Sequence, residues 1–173
     1  MGLFGWSNTG AERPGFAVEP GPGQESVWDY PRPPRLAPDE RRVVVGDPDD
    51  PVAVSSRAVR VLETASPPTF YVPPDDVRTE RLVPADGRSF CEWKGEATYW
   101  ALAAAPAQPI GWAYPTPLPE FLVIAGWFSF YPARIECRVG DEVIRPQAGG
   151  FYGGWVTDEI VGPFKGEPGT GGW

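Results

Sequence analysis

The chain has 173 residues, enough for one domain with a sizeable apolar core. Its formal net charge of −8 argues against a protein that binds the phosphate backbone of nucleic acids. Because it has no histidine and only two cysteines, Cys91 and Cys137, it can form neither a Ser-His-Asp or Cys-His catalytic arrangement nor a Cys₄ or Cys₂His₂ zinc site.

Residues 1–40 predict an extended N-terminal arm. Its first seven residues lack the charged region and apolar run of a signal peptide, and no stretch of the chain resembles a membrane helix. We therefore expect a cytoplasmic protein without membrane contacts. The prolines of segment 31–34 favour an extended path, while aromatic residues such as Trp6 and Trp28 indicate that part of the arm lies against the body.

Regular structure is predicted to begin at residue 41. Two β-branched segments, 42–45 and 52–55, flank a Gly-Asp-Pro turn in the manner of a hairpin. Further strands are predicted at 58–62, 69–72, 78–83, 89–94, 97–103 and 110–114, with a turn at 84–87 and a last hairpin from 134–139 and 142–144. Segment 120–130 is apolar throughout, so its pattern is also compatible with a helical turn.

Short strands separated by frequent turns predict a mainly β domain of short antiparallel strands, arranged as a sandwich or a barrel-like pair of sheets. The chain shows no βαβ alternation, no GxGxxG motif and no GxxxxGK[ST] motif, which argues against Rossmann and P-loop folds. Residues 146–173 are rich in glycine and aromatic residues. We predict that they pack as an irregular C-terminal strap around a body formed by residues 41–145.

Four clusters of residues within the body carry a resemblance to a known family. They are Glu63-Thr64 with Pro67-Pro68, Phe70-Tyr71, Pro73 and Asp76-Val77; Cys91 to Gly95 with Ala97 and Tyr99; Trp112, Tyr114, Pro115 and Pro117; and Gly126 with Phe130-Tyr131. As a set they resemble the bacterial domain-of-unknown-function 427 family. The resemblance implies a β-tent, in which two sheets meet at an angle, as in methionine sulfoxide reductase B and the ligand-binding domain of cereblon.

Two properties linked with that family and its fold relatives have no counterpart in the motifs of this chain. The fold relatives usually carry a Cys₄ zinc site, which two cysteines cannot supply. The family has also been labelled nucleotidyltransferase-like, but no motif of paired carboxylates for magnesium ions is evident. We expect neither a metal nor a cofactor.

The segment Cys91 to Gly95 holds the most reactive combination of side chains. A turn at Gly95 could bring Lys94 toward Cys91, where a neighbouring ammonium group would stabilise the thiolate and increase its reactivity. In the alternative interpretation, Cys91 is a small core residue and Lys94 a surface charge. Asp76 is a further candidate, either as a proton acceptor or as the cap of a turn.

Aromatic residues with polar tips are predicted to form a ligand pocket beside Lys94. Tyr71, Trp93, Trp112 and Tyr114 could together wall a site for a planar ring or hold a cation. The same residue types also build ordinary β cores, so the pattern alone does not separate the two roles.

Three functions are compatible with these observations. The first is a domain that binds a small planar or nucleotide-like molecule through Tyr71, Trp93, Lys94, Trp112 and Tyr114. The second is an enzyme in which Cys91 acts as a nucleophile or redox thiol tuned by Lys94, with Asp76 or Glu92 moving protons. The third is a structural or partner-binding protein, including a homodimer, whose arms cover a neighbouring subunit.

Overall fold

The computed structural model describes residues 5–173, so the first four residues of the predicted arm, Phe4 among them, lie outside the described residues. The described chain forms short β-strands joined by turns and four short 3₁₀ helices. The strands are β1 (Glu25–Ser26), β2 (Arg35–Asp39), β3 (Val43–Asp47), β4 (Asp50–Ser55), β5 (Ala58–Leu62), β6 (Thr69–Tyr71), β7 (Leu82–Cys91), β8 (Gly95–Leu102), β9 (Ala105–Ala113), β10 (Phe128–Phe130), β11 (Cys137–Val139), β12 (Glu142–Val143), β13 (Arg145–Pro146), β14 (Trp155–Val156) and β15 (Ile160–Val161). The 3₁₀ helices are Val27–Asp29, Pro74–Asp76, Thr79–Arg81 and Pro119–Ile124.

The strands form three larger antiparallel sheets. Their orders are β10-β9-β8-β7, β12-β11-β3-β4 and β2-β5-β6, and two further pairs join β13 to β14 and, in parallel, β1 to β15. None of these sheets closes on itself within residues 5–173. The prediction of a mainly β, sandwich-like domain is therefore confirmed.

The apolar core joins the three larger sheets to the strap. Val45 in β3, Phe70 in β6 and Phe130 in β10 belong to one buried cluster. Trp155 of the strap is fully buried in the same cluster, where its ring stacks on Phe70 with centroids 4.8 Å apart. Because its Nε1 also donates a hydrogen bond of 2.9 Å to the carbonyl oxygen of Phe130, the strap is held firmly to the body.

The local patterns predicted most hairpins, and the exceptions have identifiable causes. Strand β2 lies upstream of residue 41, so the predicted start of regular structure is wrong. It pairs with β5 along its whole length as an edge strand, the position in a sheet that tolerates a proline such as Pro38.

The segment predicted as a strand at 78–83 instead contains a 3₁₀ helix over Thr79–Arg81. The turn predicted at 84–87 lies inside β7, where the pairing register shifts between Ala85 and Arg88 as in a β-bulge. Segment 120–130 is divided between the 3₁₀ helix Pro119–Ile124 and strand β10. No helix within residues 5–173 is both long and apolar enough to cross a lipid bilayer.

Candidate functional site

A cavity of about 370 Å³ opens where β5, β6, β7, β8 and β9 meet the strap. Its wall is rich in aromatic rings and also carries both lysines of the chain, Lys94 and Lys165. The aromatic lining consists of Trp6, Tyr71, Phe90, Trp93, Tyr99, Trp112, Tyr114, Tyr131, Phe151 and Tyr152. The volume lies in the range usual for small-molecule sites.

Three of the aromatic residues that line the cavity are almost fully buried. Tyr71, Trp112 and Tyr114 are 1%, 7% and 7% exposed, respectively. Trp112 donates a hydrogen bond of 3.1 Å from Nε1 to the hydroxyl oxygen of Tyr71, and their rings meet edge to face. Burial raises the pKa of both the Tyr71 and Tyr114 hydroxyls, more strongly than the nearby Lys94 lowers that of Tyr71. Both phenols therefore remain protonated at neutral pH.

The turn between β7 and β8 carries Lys94 into the cavity. Gly95 has a φ of 98°, a left-handed conformation that glycine adopts readily, and it allows the chain to reverse directly after the lysine. Lys94 is only 8% exposed, and its Nζ lies 5.5 Å from the ring centroid of Tyr114. Within residues 5–173, no carboxylate oxygen lies within 4.0 Å of Lys94 Nζ, so the ammonium group forms no ion pair with a carboxylate.

Opposing effects act on the Lys94 ammonium group. Burial lowers its pKa, while the neighbouring Tyr71, Cys91 and Glu63 outweigh that effect and hold it above the ordinary lysine value. Lys94 is thus a buried cation at neutral pH. Glu63, the carboxylate among these neighbours, is bound by Arg32 at 3.2 Å and by Nε1 of Trp93 at 3.3 Å.

Cys91 ends strand β7 and lines the same cavity as Lys94. Its side chain is half-buried, so small reagents can approach it through the cavity. Cys137, in contrast, is buried in the core cluster of β3 and β10, and burial raises the pKa of its thiol. The two cysteines therefore lie in different environments.

The mouth of the cavity is bordered by the two ends of the chain. Trp6 of the N-terminal arm donates a hydrogen bond of 2.7 Å to Glu92, and its ring lies 4.2 Å from the guanidinium of Arg32 and 4.7 Å from Nζ of Lys165. Lys165 also donates to the backbone oxygen of Trp173 at 3.2 Å. Burial, followed by the charge of Arg32, lowers the pKa of Lys165.

A second group of hydroxyl-bearing side chains lies along β7, β8 and the end of β10. Tyr99 donates a hydrogen bond of 2.6 Å to the hydroxyl of Ser89. Tyr131 packs on Trp112 with ring centroids 4.6 Å apart, and burial raises the pKa of Tyr131 to about 12. These groups add polar contacts to a mainly aromatic wall.

The structure brings most of the residues predicted for the site together. Tyr71, Trp93, Lys94, Trp112, Tyr114 and Cys91 all line the one cavity. Asp76 lies elsewhere, where it accepts hydrogen bonds from Arg57 at 2.7 Å and from Ser55 at 2.7 Å. The Arg57 guanidinium, opposed by partial burial, lowers the pKa of Asp76. Asp76 is thus separated from Cys91 and is not positioned to move protons for it.

Several cavity residues were not predicted from the sequence. They are Tyr99 and Tyr131 from the body, Trp6 from the arm, and Phe151 to Gly154 and Lys165 from the strap. The scarcity of lysine is a signal that could have identified Lys165, since the only two lysines share this cavity. Within the described residues, no three Cys, Asp or Glu side chains are grouped so as to hold a metal ion.

The fold and cavity define a small β protein with an aromatic-lined site that contains a buried cation. Residues 35–141, more than half of the chain, match the family described as "Domain of unknown function (DUF427)", and the chain belongs to this family. No curated protein matches the chain.

Proposed function

We propose that this protein binds a small planar or nucleotide-like molecule in the cavity beside Lys94. The observation that carries the proposal is the convergence of Tyr71, Trp93, Trp112 and Tyr114 on one hollow of about 370 Å³. If these rings served only as a core, we would expect them to fill the space between the sheets. Instead, although Tyr71, Trp112 and Tyr114 also belong to a buried core cluster, all four rings border an open volume, and the half-buried Trp93 can contact a flat ligand there.

The test is a titration with planar metabolites, followed both by tryptophan fluorescence and by melting temperature. Trp93 and Trp112 line the cavity, so occupancy should change their emission, and a ligand that binds only the folded state should raise the melting temperature. If no compound in the panel produces both effects, the proposal is rejected.

A variant that fills the cavity makes this test specific. Ala97 lines the cavity and is buried, so Ala97→Leu should occupy ligand space and weaken binding. Ala105→Leu, at an exposed position outside the cavity, is the matched control and should bind like the wild type. Equal affinities in the two variants would place the ligand outside this cavity.

The second candidate function is catalysis by Cys91, favoured by its half-buried thiol on the same cavity as Lys94. In the reaction with iodoacetamide, the sulfur forms a bond to carbon and iodide leaves, so the alkylation rate reports directly on nucleophilicity. Mass spectrometry separates Cys91 from the buried Cys137, which serves as an internal control. If Cys91 reacts no faster than a free thiol, catalysis by this residue is excluded.

A further inference from the structure

The deep end of the cavity is rich in hydrogen-bond donors and poor in acceptors. Lys94, Tyr71 and Tyr114 line it and are each more than nine-tenths buried. The Lys94 ammonium lies 5.5 Å from the Tyr114 ring, and the rings of Tyr71 and Tyr114 lie 6.3 Å apart. The three side chains are therefore neighbours along one part of the cavity wall.

The donors of this cluster have few acceptors within the protein. The Tyr71 oxygen accepts the Trp112 Nε1 hydrogen bond, so its own hydroxyl hydrogen is free to point elsewhere. Among residues 5–173, neither the Tyr71 nor the Tyr114 hydroxyl donates a hydrogen bond within 3.5 Å, although Thr69 lies near Tyr71, and Lys94 has Cys91 but no carboxylate as a close partner. Lys94 Nζ and the Tyr114 hydroxyl are not sealed from the cavity, so a bound group could reach them and accept the hydrogen bonds that water otherwise accepts.

The carboxylates nearby are not available to accept hydrogen bonds from these donors. Glu63 is already paired with Arg32 and Trp93, and Glu92 accepts from Trp6 at the mouth. A ligand with a positive charge would lie against the buried ammonium, which is unfavourable. An oxyanion, in contrast, would accept hydrogen bonds from all three groups at once.

From this geometry we infer that Lys94, Tyr71 and Tyr114 form an oxyanion subsite, and that the ligand is an aromatic or heteroaromatic molecule bearing a carboxylate or phosphate group. The inference rests on the proposed small-molecule site and specifies the charge of its ligand. The anionic group occupies the part of the cavity beside Lys94, while the ring packs against the half-buried Trp93.

Matched probe pairs that differ only in charge test this inference by calorimetry. Naphthoate is compared with naphthamide, and adenosine monophosphate with adenosine. We expect the anionic member of at least one pair to bind about tenfold or more tightly, the usual value of a charged hydrogen bond. The pair that shows the preference distinguishes carboxylate from phosphate.

Four variants show which residues cause the preference for the anion. Lys94→Met should abolish the preference for the anion, and Tyr114→Phe should weaken anion binding about fivefold without altering binding of the neutral probe. Arg78→Met, which removes an exposed cation far from the cavity, controls for the change in net charge. If Lys165→Met abolishes the preference and Lys94→Met does not, the subsite is wrongly assigned.

The two lysines also allow a direct measurement that needs no aromatic ligand. Protein carrying isotope-labelled lysine gives two side-chain NMR signals, which Lys165→Arg assigns. Inorganic phosphate should shift the Lys94 signal saturably, whereas chloride at equal ionic strength should not. If neither phosphate nor naphthoate shifts Lys94, or if naphthamide shifts it equally, the oxyanion subsite is rejected.

The same experiments separate this inference from the proposed function. If aromatic probes bind equally well whatever their charge, the proposal of a ligand cavity is retained and the proposal of an oxyanion subsite is rejected. A saturable phosphate shift at Lys94, with no binding by any aromatic probe, would retain the subsite and reject the planar-ligand pocket.

Discussion

At the scale of single residues, the ammonium group of Lys94 loses hydration without gaining a carboxylate partner. Tyr71, Cys91 and the Glu63 carboxylate raise its pKa against the effect of burial. That carboxylate is shared with Arg32 and Trp93. A buried charge retained in this way costs stability and points to a role in binding.

We therefore expect Lys94→Met to be at least as stable as the wild type in the absence of ligand. Methionine keeps most of the side-chain volume and removes the buried charge, which should stabilise the protein by about 1 kcal/mol or leave it unchanged. Urea denaturation at neutral pH measures the free energy of unfolding. A loss of more than about 1 kcal/mol would show that the ammonium group has a structural partner.

The sequence predicted the part of the site that is local in the chain. Trp93 and Lys94 lie in one turn, and Trp112 and Tyr114 alternate along one strand direction, so spacing alone relates them. Tyr131 and Lys165 reach the cavity through the packing of segments distant in sequence. No local pattern encodes that packing, which is why these residues were missed.

At the scale of elements, an ion pair links the edge strand β2 to β5 and the strap. Asp39 at the end of β2 accepts hydrogen bonds from Arg41 and lies 3.3 Å from Nε of Arg60 in β5. Arg41 in turn donates to Glu159 at 2.8 Å. Burial raises the pKa of Asp39, but its hydrogen bonds from Arg41 outweigh burial and hold the pKa below its ordinary value.

Asp39→Asn should lower the free energy of unfolding by about 2 kcal/mol at neutral pH, because Arg41 and Arg60 each lose one of their two carboxylate partners. A lowered pKa in the folded state means that the stabilisation is present above the unfolded value near 3.9 and disappears as the pH falls through the folded value. Urea denaturation from pH about 7 to about 3 should show the difference from wild type shrinking below about pH 4. A difference independent of pH would contradict this mechanism.

The elements themselves were predictable where the determinants are adjacent in sequence. The β-branched runs and turn between them specify the β3–β4 hairpin, and β5 has the bounds that its alternation predicts. Strand β2 was missed because a proline such as Pro38 normally indicates the end of a strand. Pro38 is tolerated here because β2 lies at the edge of its sheet. The bulge inside β7 was missed because Gly87 can occupy a turn or a bulge equally well.

At the scale of the whole molecule, Arg32 connects both chain ends to the body. Its buried guanidinium donates to the backbone oxygens of Asn8, Thr64 and Trp173 at 3.1, 3.0 and 2.8 Å, and it pairs with Glu63. The ring centroids of Trp28 and Trp173 lie 5.3 Å apart, which adds an aromatic contact between the arm and the strap. The arm and strap thus behave as parts of one packed structure.

Arg32→Lys should destabilise the protein by about 3 kcal/mol, even though it preserves the charge. A single ammonium cannot span four acceptors in the directions that the planar guanidinium reaches, so buried oxygens are left unpaired. Arg13→Lys is the matched control, since Arg13 forms exposed ion pairs with Asp29 and Glu19 and should change stability by less than about 1 kcal/mol. Equal effects would mean that the Arg32 contacts are dispensable.

The strap also shapes the cavity, because Gly153 passes directly over Trp112. A side-chain carbon at position 153 would lie 2.6 Å from Cζ3 of Trp112 and 3.3 Å from Cδ1 of Tyr131. Only a glycine permits this approach, so the separation between strap and β9 sets the height of the cavity.

Gly153→Ala should therefore force the strap outward or the Trp112 indole into the cavity, with a loss of about 1–3 kcal/mol in stability. We expect an altered tryptophan emission spectrum and weaker binding of the planar probes in the same variant. Gly150→Ala is the control within the strap, since an added methyl group there meets open space and the backbone is not left-handed. If both alanine variants bind and unfold like the wild type, the strap does not contact Trp112 closely in solution, and the height of the cavity must be set by the body alone.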